Sequence, residues 1–330
     1  MTSSPLTPRR WFTVFIAVLL VTAAALFVGL LYSIRIVQQP DYPRSVGDWS
    51  IEAQATGFKL HDRRCDILIY GDSTAAVGLD PRVITAATGL PACNIATNRP
   101  DVDVLGTLSL DSFLAHNPRP RLLVFRYGPE TFYRAKSGWE HSGAYDPLVM
   151  LCRNKPLAHV LGVMMQHPAE AVQFESQIIQ TRVHPHVADK QKIDAEYVHT
   201  MQTFDASGGL VTLDMPAEKT CRAPVLSLWG PVDRAWVAAL RAKYETGGTK
   251  VLVTVAPVPD CDPQLELFRR DLMDLAPSQK FLDGPLETFP IQIFLPGNRH
   301  VTEAGAAEVT SHLNLILGPY LAHPNSPEKP

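Results

Sequence analysis

The sequence predicts an α/β fold: a parallel β-sheet covered by helices on both faces, behind an N-terminal membrane helix. Three observations carry this. Short apolar runs such as DILIY, RLLVFRY and KVLVTVA alternate with stretches of helical periodicity. These runs place apolar residues at successive positions rather than alternating ones, as strands buried on both faces do. Residues 11–33, WFTVFIAVLLVTAAALFVGLLYS, carry no charge over a length sufficient to cross a bilayer, which takes about 20 helical residues.

Taken in order, Arg9 and Arg10 directly precede the apolar run and place residues 1–10 in the cytoplasm. Arg35 and Arg44 on the far side weaken that bias without reversing it. A cleaved signal peptide is the rival reading. Its apolar region would be about 7 to 15 residues, with a small-residue cleavage site beyond it. Here Ala23, Ala24 and Ala25 sit mid-run. The expectation is therefore a single-pass inner-membrane anchor over 11–33, a linker over 34–60, a periplasmic domain over 61–320 and a flexible tail over 321–330.

Within the domain, residues 66–70 read as a buried strand and 74–88 as a helix. A short strand follows at 93–97. Val104, Leu105, Leu108 and Phe113 suit a helix over 102–116, and 121–127 is a third strand. Residues 130–220 are too long for a simple crossover and read as an insertion over one rim of the sheet, with helical pieces near 157–180 and 188–203. Pro231 suits the first position of a helix over 231–244, where Val232, Trp236, Leu240 and Tyr244 recur every four residues. Residues 250–256 form a strand ended by Pro257 and Pro259, and 281–283 a last short one. Thr302 begins a terminal helix running to about residue 317. Strands separated by helices imply βαβ units and hence a parallel sheet.

Composition narrows the function classes. Thirty basic and 33 acidic residues leave a net charge of −3, no footprint for nucleic acid. The 28 prolines argue against a helical bundle, and no repeat recurs at 20 to 50 residues. Five cysteines allow two bridges in an oxidising compartment and leave one thiol over. Cys65 with Cys93, or Cys221 with Cys261, could pair; buried free thiols are the alternative. No Cys/His spacing points to a metal, and no cofactor is expected. His184 and His186 in VHPHV read as a surface loop.

The chemistry-bearing stretch is GDST, residues 71–74. In an open parallel sheet, sites collect beyond the C-terminal ends of the strands, and Ser73 follows the first strand directly. Gly71 permits a sharp turn, and a helix starting near Thr74 would aim its N-terminal dipole and N–H groups at a developing oxyanion. Serine in this place can also simply cap the helix. His300, in PGNRHVTEAGAAEV, precedes the last helix by a few residues. Beside a helix N-terminus its cationic form is disfavoured, which suits a neutral general base. An ordinary loop histidine is the plainer alternative. The combination of a serine after the first strand with a histidine before the last helix favours nucleophile and base.

On these motifs, over residues 60–320, the sequence resembles the SGNH/GDSL hydrolase superfamily. With its anchor it is similar to the membrane-anchored periplasmic branch that includes alginate O-acetylation and teichoic acid D-alanyl transfer proteins. The LDPRVITAATGLPACNIATN stretch after the serine resembles that branch as well. The resemblance implies a flavodoxin-like three-layer α/β/α sandwich and serine-based ester hydrolysis or O-acyl transfer on an envelope or secreted polysaccharide. It also implies a membrane-bound acyltransferase as partner. Ser73 matches the nucleophile, Asp72 supports its turn and His300 matches the base. Where the family has aspartate three residues before the histidine, this chain has Gly297, with Asn298 beside it. Asp283 and Glu303 are the alternative acids; a Ser–His dyad is the other arrangement. Asn98 or the N–H of Arg99 would replace the second oxyanion donor. The third block reads Gly128-Pro129-Glu130 without the usual asparagine, Glu130 orienting another group or capping a helix. A catalytically impaired module that binds glycan or a membrane partner is the competing expectation.

Overall fold

The structure, a computed structural model, describes residues 8–38, 56–98, 105–135, 145–183, 207–213, 215–221 and 229–321, together with Val102 and Phe204. The 188–203 helix, His184, His186, Arg99 and the tail beyond 321 lie outside the described residues, as does most of the 34–60 linker.

Helix α1 (Pro8–Val37) is the one helix among the described residues long and apolar enough to cross a membrane. Its most apolar 18-residue stretch has a mean hydropathy of 2.9 and no buried residue. The helix outlasts the uncharged run at both ends. Ser33, Ile34, Ile36 and Val37 are buried, so the helix continues through 34–37 with Ile34, Ile36 and Val37 in a core, where a linker is expected. Helix α2 (Thr56–Lys59) leads into β1 (Ile67–Gly71).

After β1 come α3 (Ser73–Gly78) and α4 (Pro81–Thr88), where one helix is expected. Pro81 explains the break: the residue before proline is driven out of the helical region, and Asp80 is extended and caps α4 through the Arg82 N–H. Then follow β2 (Ala92–Asn94), α5 (Leu108–His116) and β3 (Leu122–Tyr127). Next come β4 (Tyr133–Ala135), α6 (Tyr145–Asn154), α7 (Leu157–Gln166) and α8 (Pro168–Val183). Pro168 splits the helix expected over 157–180. β5 (Trp229–Val232) pairs with β4 antiparallel, so Pro231 lies in a strand and not at a helix start. Asp233 caps α9 (Arg234–Tyr244) instead, its carboxylate accepting the Trp236 N–H.

The chain closes with β6 (Lys250–Val255), β7 (Val258–Pro259), α10 (Leu265–Phe268), β8 (Thr288–Phe289) and α11 (Glu303–Leu321). β7 and β8 pair in parallel. No strand forms at 281–283. There Asp283 borders β6, its N–H donating to Val253 O and its carboxylate accepting the Val253 N–H.

The main sheet is four-stranded and all parallel, in the order β2-β1-β3-β6. Side chains alternate between its faces. Ile67, Ile69, Leu122, Val124 and Leu252 pack with α3, α4 and α11 on one face. Leu68, Leu123, Phe125, Val251 and Val253 pack with α5 and α9 on the other. A third core joins the end of α1 to α6, α7 and α8, with Phe58 of α2 among its members. Two disulfides, Cys65–Cys93 and Cys221–Cys261, resolve the cysteine question, and Cys152 is a buried free thiol. Cys65–Cys93 ties the lead-in of β1 to the middle of β2.

Candidate active site

β1 ends where it runs closest to β3. Gly71 pairs with Arg126, and a Cβ on Gly71 would overlap the Arg126 carbonyl oxygen. Only glycine fits. The Gly71 carbonyl accepts the Thr97 N–H, which carries the register past β2 and brings Asn98 to the same end of the sheet.

Asp72, not Ser73, is the N-cap of α3. It is extended and buried, with an exposure of 2%. Its Oδ1 accepts the Thr74 N–H at 3.0 Å and the Thr74 hydroxyl at 2.6 Å. Its Oδ2 accepts the Gly128 N–H at 2.9 Å and the Thr131 hydroxyl at 2.7 Å. Four donors thus hold a buried carboxylate, the condition under which burial of a charge is tolerated. Asp72 ties the end of β1 to the loop after β3. As the capping duty falls to Asp72, the Ser73 hydroxyl is left for other use at the first helical position.

That hydroxyl meets His300. His300 Nε2 lies 2.9 Å from Ser73 Oγ, across 227 residues of sequence. A hairpin presents the imidazole: Phe294 bridges Val301, and the Leu295 N–H donates to the His300 carbonyl. The turn between them carries two consecutive left-handed residues, Gly297 at φ 102° and Asn298 at φ 61°. Asparagine is among the few side-chain-bearing residues that adopt this region readily. Asn298 is 1% exposed, and neither polar atom of its side chain has a hydrogen-bond partner among the described residues. Thr302 Oγ1 then accepts the Gly305 N–H at the start of α11, as expected of a cap.

Burial pushes the His300 pKa below the usual 6.5, and the nearby Asp72 charge pulls partly the other way. Burial thus favours the neutral ring. No described carboxylate hydrogen-bonds to its Nδ1. Neither expected acid reaches it. Asp283 is committed to Arg241, Tyr320 and the Val253 N–H, and Glu303 is exposed on α11. The arrangement among the described residues is a dyad.

One further group at the site went unanticipated. Arg299, next to His300, donates through Nε to Glu130 and through Nη1 to Asp262 Oδ2 at 2.8 Å. Glu130 follows β3 and Asp262 follows β7, so one guanidinium gathers three loops. Glu130 therefore orients Arg299 and caps nothing; Gly128 occupies the cap of its 3₁₀ turn. Burial alone would lower the Arg299 pKa, but Glu130 and Asp262 outweigh it and raise it. A charge between two carboxylates on separate loops has no sequence spacing, which is why sequence reasoning misses it. The only local signal is a basic residue adjacent to the candidate histidine.

Below the site, the side chain of Arg126 is fully buried, 3.8 Å from Glu287. Burial pushes its pKa down to about 10, against the pull of Glu287 and Asp72. No group of three or more His, Cys, Asp or Glu able to hold a metal occurs among the described residues.

Among the described residues the arrangement offers a hydroxyl, an imidazole in contact with it and the backbone N–H groups of the α3 start. No family model, curated protein or solved structure matches the chain.

Proposed function

We propose that the chain is a membrane-anchored serine esterase or O-acyltransferase of the SGNH type, acting on an envelope or secreted polysaccharide. The observation that carries this reading is the 2.9 Å contact of His300 Nε2 with Ser73 Oγ at the C-terminal ends of parallel strands. In this reading Ser73 Oγ attacks the acyl carbonyl while His300 Nε2 takes its proton. The proton passes to the departing alcohol, leaving an acyl-Ser73 ester. His300 then deprotonates water or a sugar hydroxyl, which takes the acyl group and restores the serine. The Ser73 N–H and Asn98 are the candidate oxyanion donors.

The strand order supports a flavodoxin-like three-layer sandwich, whose first strands run 2-1-3. Residues 130–220 are then its insertion. Two disulfides support an oxidising compartment, hence a periplasmic domain with α1 in the inner membrane and its N-terminus in the cytoplasm. A membrane-bound acyltransferase delivering the acyl group is the partner that this placement suits.

A second reading, a binding module with impaired chemistry, draws on the absence of a described carboxylate at His300 Nδ1 and of an asparagine after β3. Losing one oxyanion donor costs about 3 to 4 kcal/mol of transition-state stabilisation. The full-length protein in detergent, treated with a fluorophosphonate probe and an acetyl ester reporter beside Ser73→Ala and His300→Ala, separates the two. Labelling and turnover that vanish in Ser73→Ala support the enzyme. No labelling, or turnover independent of Ser73, leaves the binding module.

A further inference from the structure

The helices after β4 carry an outer face poor in charge. Between residues 156 and 179 the only charged side chains are Glu170 and Glu175. Glu170 is buried, and Glu175 is turned onto α1, where a Cβ on Gly29 would overlap its Oε1. The exposed residues of the stretch include no Asp, Glu, Lys or Arg, and His159 on α7 is the one titratable side chain among them. On α8, Ala169, Val172, Gln173, Ser176 and Ile179 are exposed and fall within an arc of about 120° at 100° per residue. Val172 is 64% exposed, Ile179 55%, and Met165 at the end of α7 77%. Water-facing helix surfaces carry charge, and an apolar one marks an interaction site.

Position indicates the occupant. Ala171, Phe174 and Ile178, on the opposite face of α8, share a core with Ile34, Ile36 and Val37 of α1. Arg153 Nε donates to the Val37 carbonyl and Gln38 Nε2 to that of Cys152, which fixes α6 to the same end. A bilayer crossing of about 20 residues starting after Arg10 reaches its far boundary near residue 30. That is the level at which Glu175 touches Gly29. Val172 and Ile179 flank Glu175 along α8, so the uncharged face stands beside the point where α1 leaves the hydrocarbon.

We propose that this face of α8, with Met165, rests in the lipid interface as a second membrane contact, continuous with the anchor. The inference relies on α1 crossing the bilayer. An interfacial helix buries its apolar side roughly 5 to 10 Å into the headgroup boundary. Here the other side is taken by protein, so no basic stripe is required. The contact would hold the domain against the bilayer surface and limit its rotation about α1.

The test uses the full-length chain in phosphatidylcholine–phosphatidylglycerol vesicles, spin-labelled at Val172→Cys, Ile179→Cys, Leu20→Cys or Leu315→Cys, with unsubstituted protein as the labelling blank. Leu20 lies in α1 and Leu315 is 79% exposed on α11. The ratio of oxygen to nickel-chelate accessibility should rise several-fold at Val172 and Ile179 above that at Leu315, towards the value at Leu20. A water-like ratio at both α8 positions with a lipid-like Leu20 overturns the interfacial contact and leaves the anchor intact. Shielding of both positions from both probes overturns lipid as the occupant, since a second copy or a partner protein then covers the face. A water-like Leu20 removes the anchor, and the proposal with it.

Discussion

Ser73 Oγ and His300 Nε2 stand 2.9 Å apart because two separate devices aim them at each other. Asp72 takes over the helix cap and holds the serine turn against the loop after β3. The left-handed Gly297–Asn298 turn carries the histidine back over the strand ends. Ser73→Ala and His300→Ala each remove one half of the pair without disturbing the core. Each should lower acyl-ester turnover at least about 100-fold, the lower bound for losing a general base, with an unchanged melting temperature. Steady-state kinetics beside thermal unfolding checks both.

The pH profile follows from the burial of His300. A general base works only when neutral, and burial disfavours its cation. The acidic limb of kcat/KM should therefore fall below the ordinary imidazole value of 6.5. The Asp72 charge favours the imidazolium, so Asp72→Asn should move the limb further down. A limb that moves up in that variant would refute the assignment of His300 as the base.

Gly71→Ala tests the close approach of β1 and β3. The added methyl meets a backbone carbonyl, which cannot swing aside as a side chain can. Overpacking of this kind costs about 1 to 3 kcal/mol or more. The variant should melt several degrees lower or fail to accumulate, whereas Gly162→Ala on α7, where an added Cβ meets nothing within 4 Å, should be neutral or stabilising.

Arg299→Met strands Glu130 and Asp262 near each other without their counter-charge. Breaking a buried ion pair from one side costs about 3 to 5 kcal/mol. Chemical denaturation should show a loss of that order, and Glu130→Gln with Asp262→Asn in the same chain should recover most of it. Since Arg299 adjoins His300, kcat should fall more than KM rises.

Reduction should loosen the domain. The two bridges span 28 and 40 residues and contribute about 3.5 to 4 kcal/mol each on loop-closure entropy. Under denaturing, non-reducing conditions one thiol should titrate, that of Cys152, and all five after reduction. In the folded protein burial pushes the Cys152 pKa up to about 12, so it should react slowly.

Much of this was legible in the sequence, and for physical reasons. β1, β3 and β6 announce themselves because strands covered on both faces carry apolar residues at successive positions, Arg126 of β3 and Thr254 of β6 being buried polar exceptions. Helix α1 does so by length alone. The breaks at Pro81 and Pro168 are local events that a proline signals, yet apolar periodicity runs straight across them. Pro231 misleads because a proline suits an edge strand as well as a helix start. At the site, Ser73 and His300 are visible from their places before and after strands and helices. The Asp72–Thr131 and Arg299–Glu130–Asp262 contacts are not, because they join loops that only the sheet order brings together. The choice of disulfides over free thiols was likewise undecidable from spacing.

The burial of Ile34, Ile36 and Val37 changes what the N-terminal helix is to the protein. An anchor joined by a slack cord could be cut away and leave its cargo whole. Helix α1 instead ends as a wall of a core, and burying an aliphatic side chain is worth about 1.5 to 3 kcal/mol. A peptidase acting beyond Val37 would unroof α6 and α8 as it released the chain. The helix is accordingly a mast built into the hull: in the proposed anchored protein, the shared core would set the height and heading of Ser73 above the bilayer.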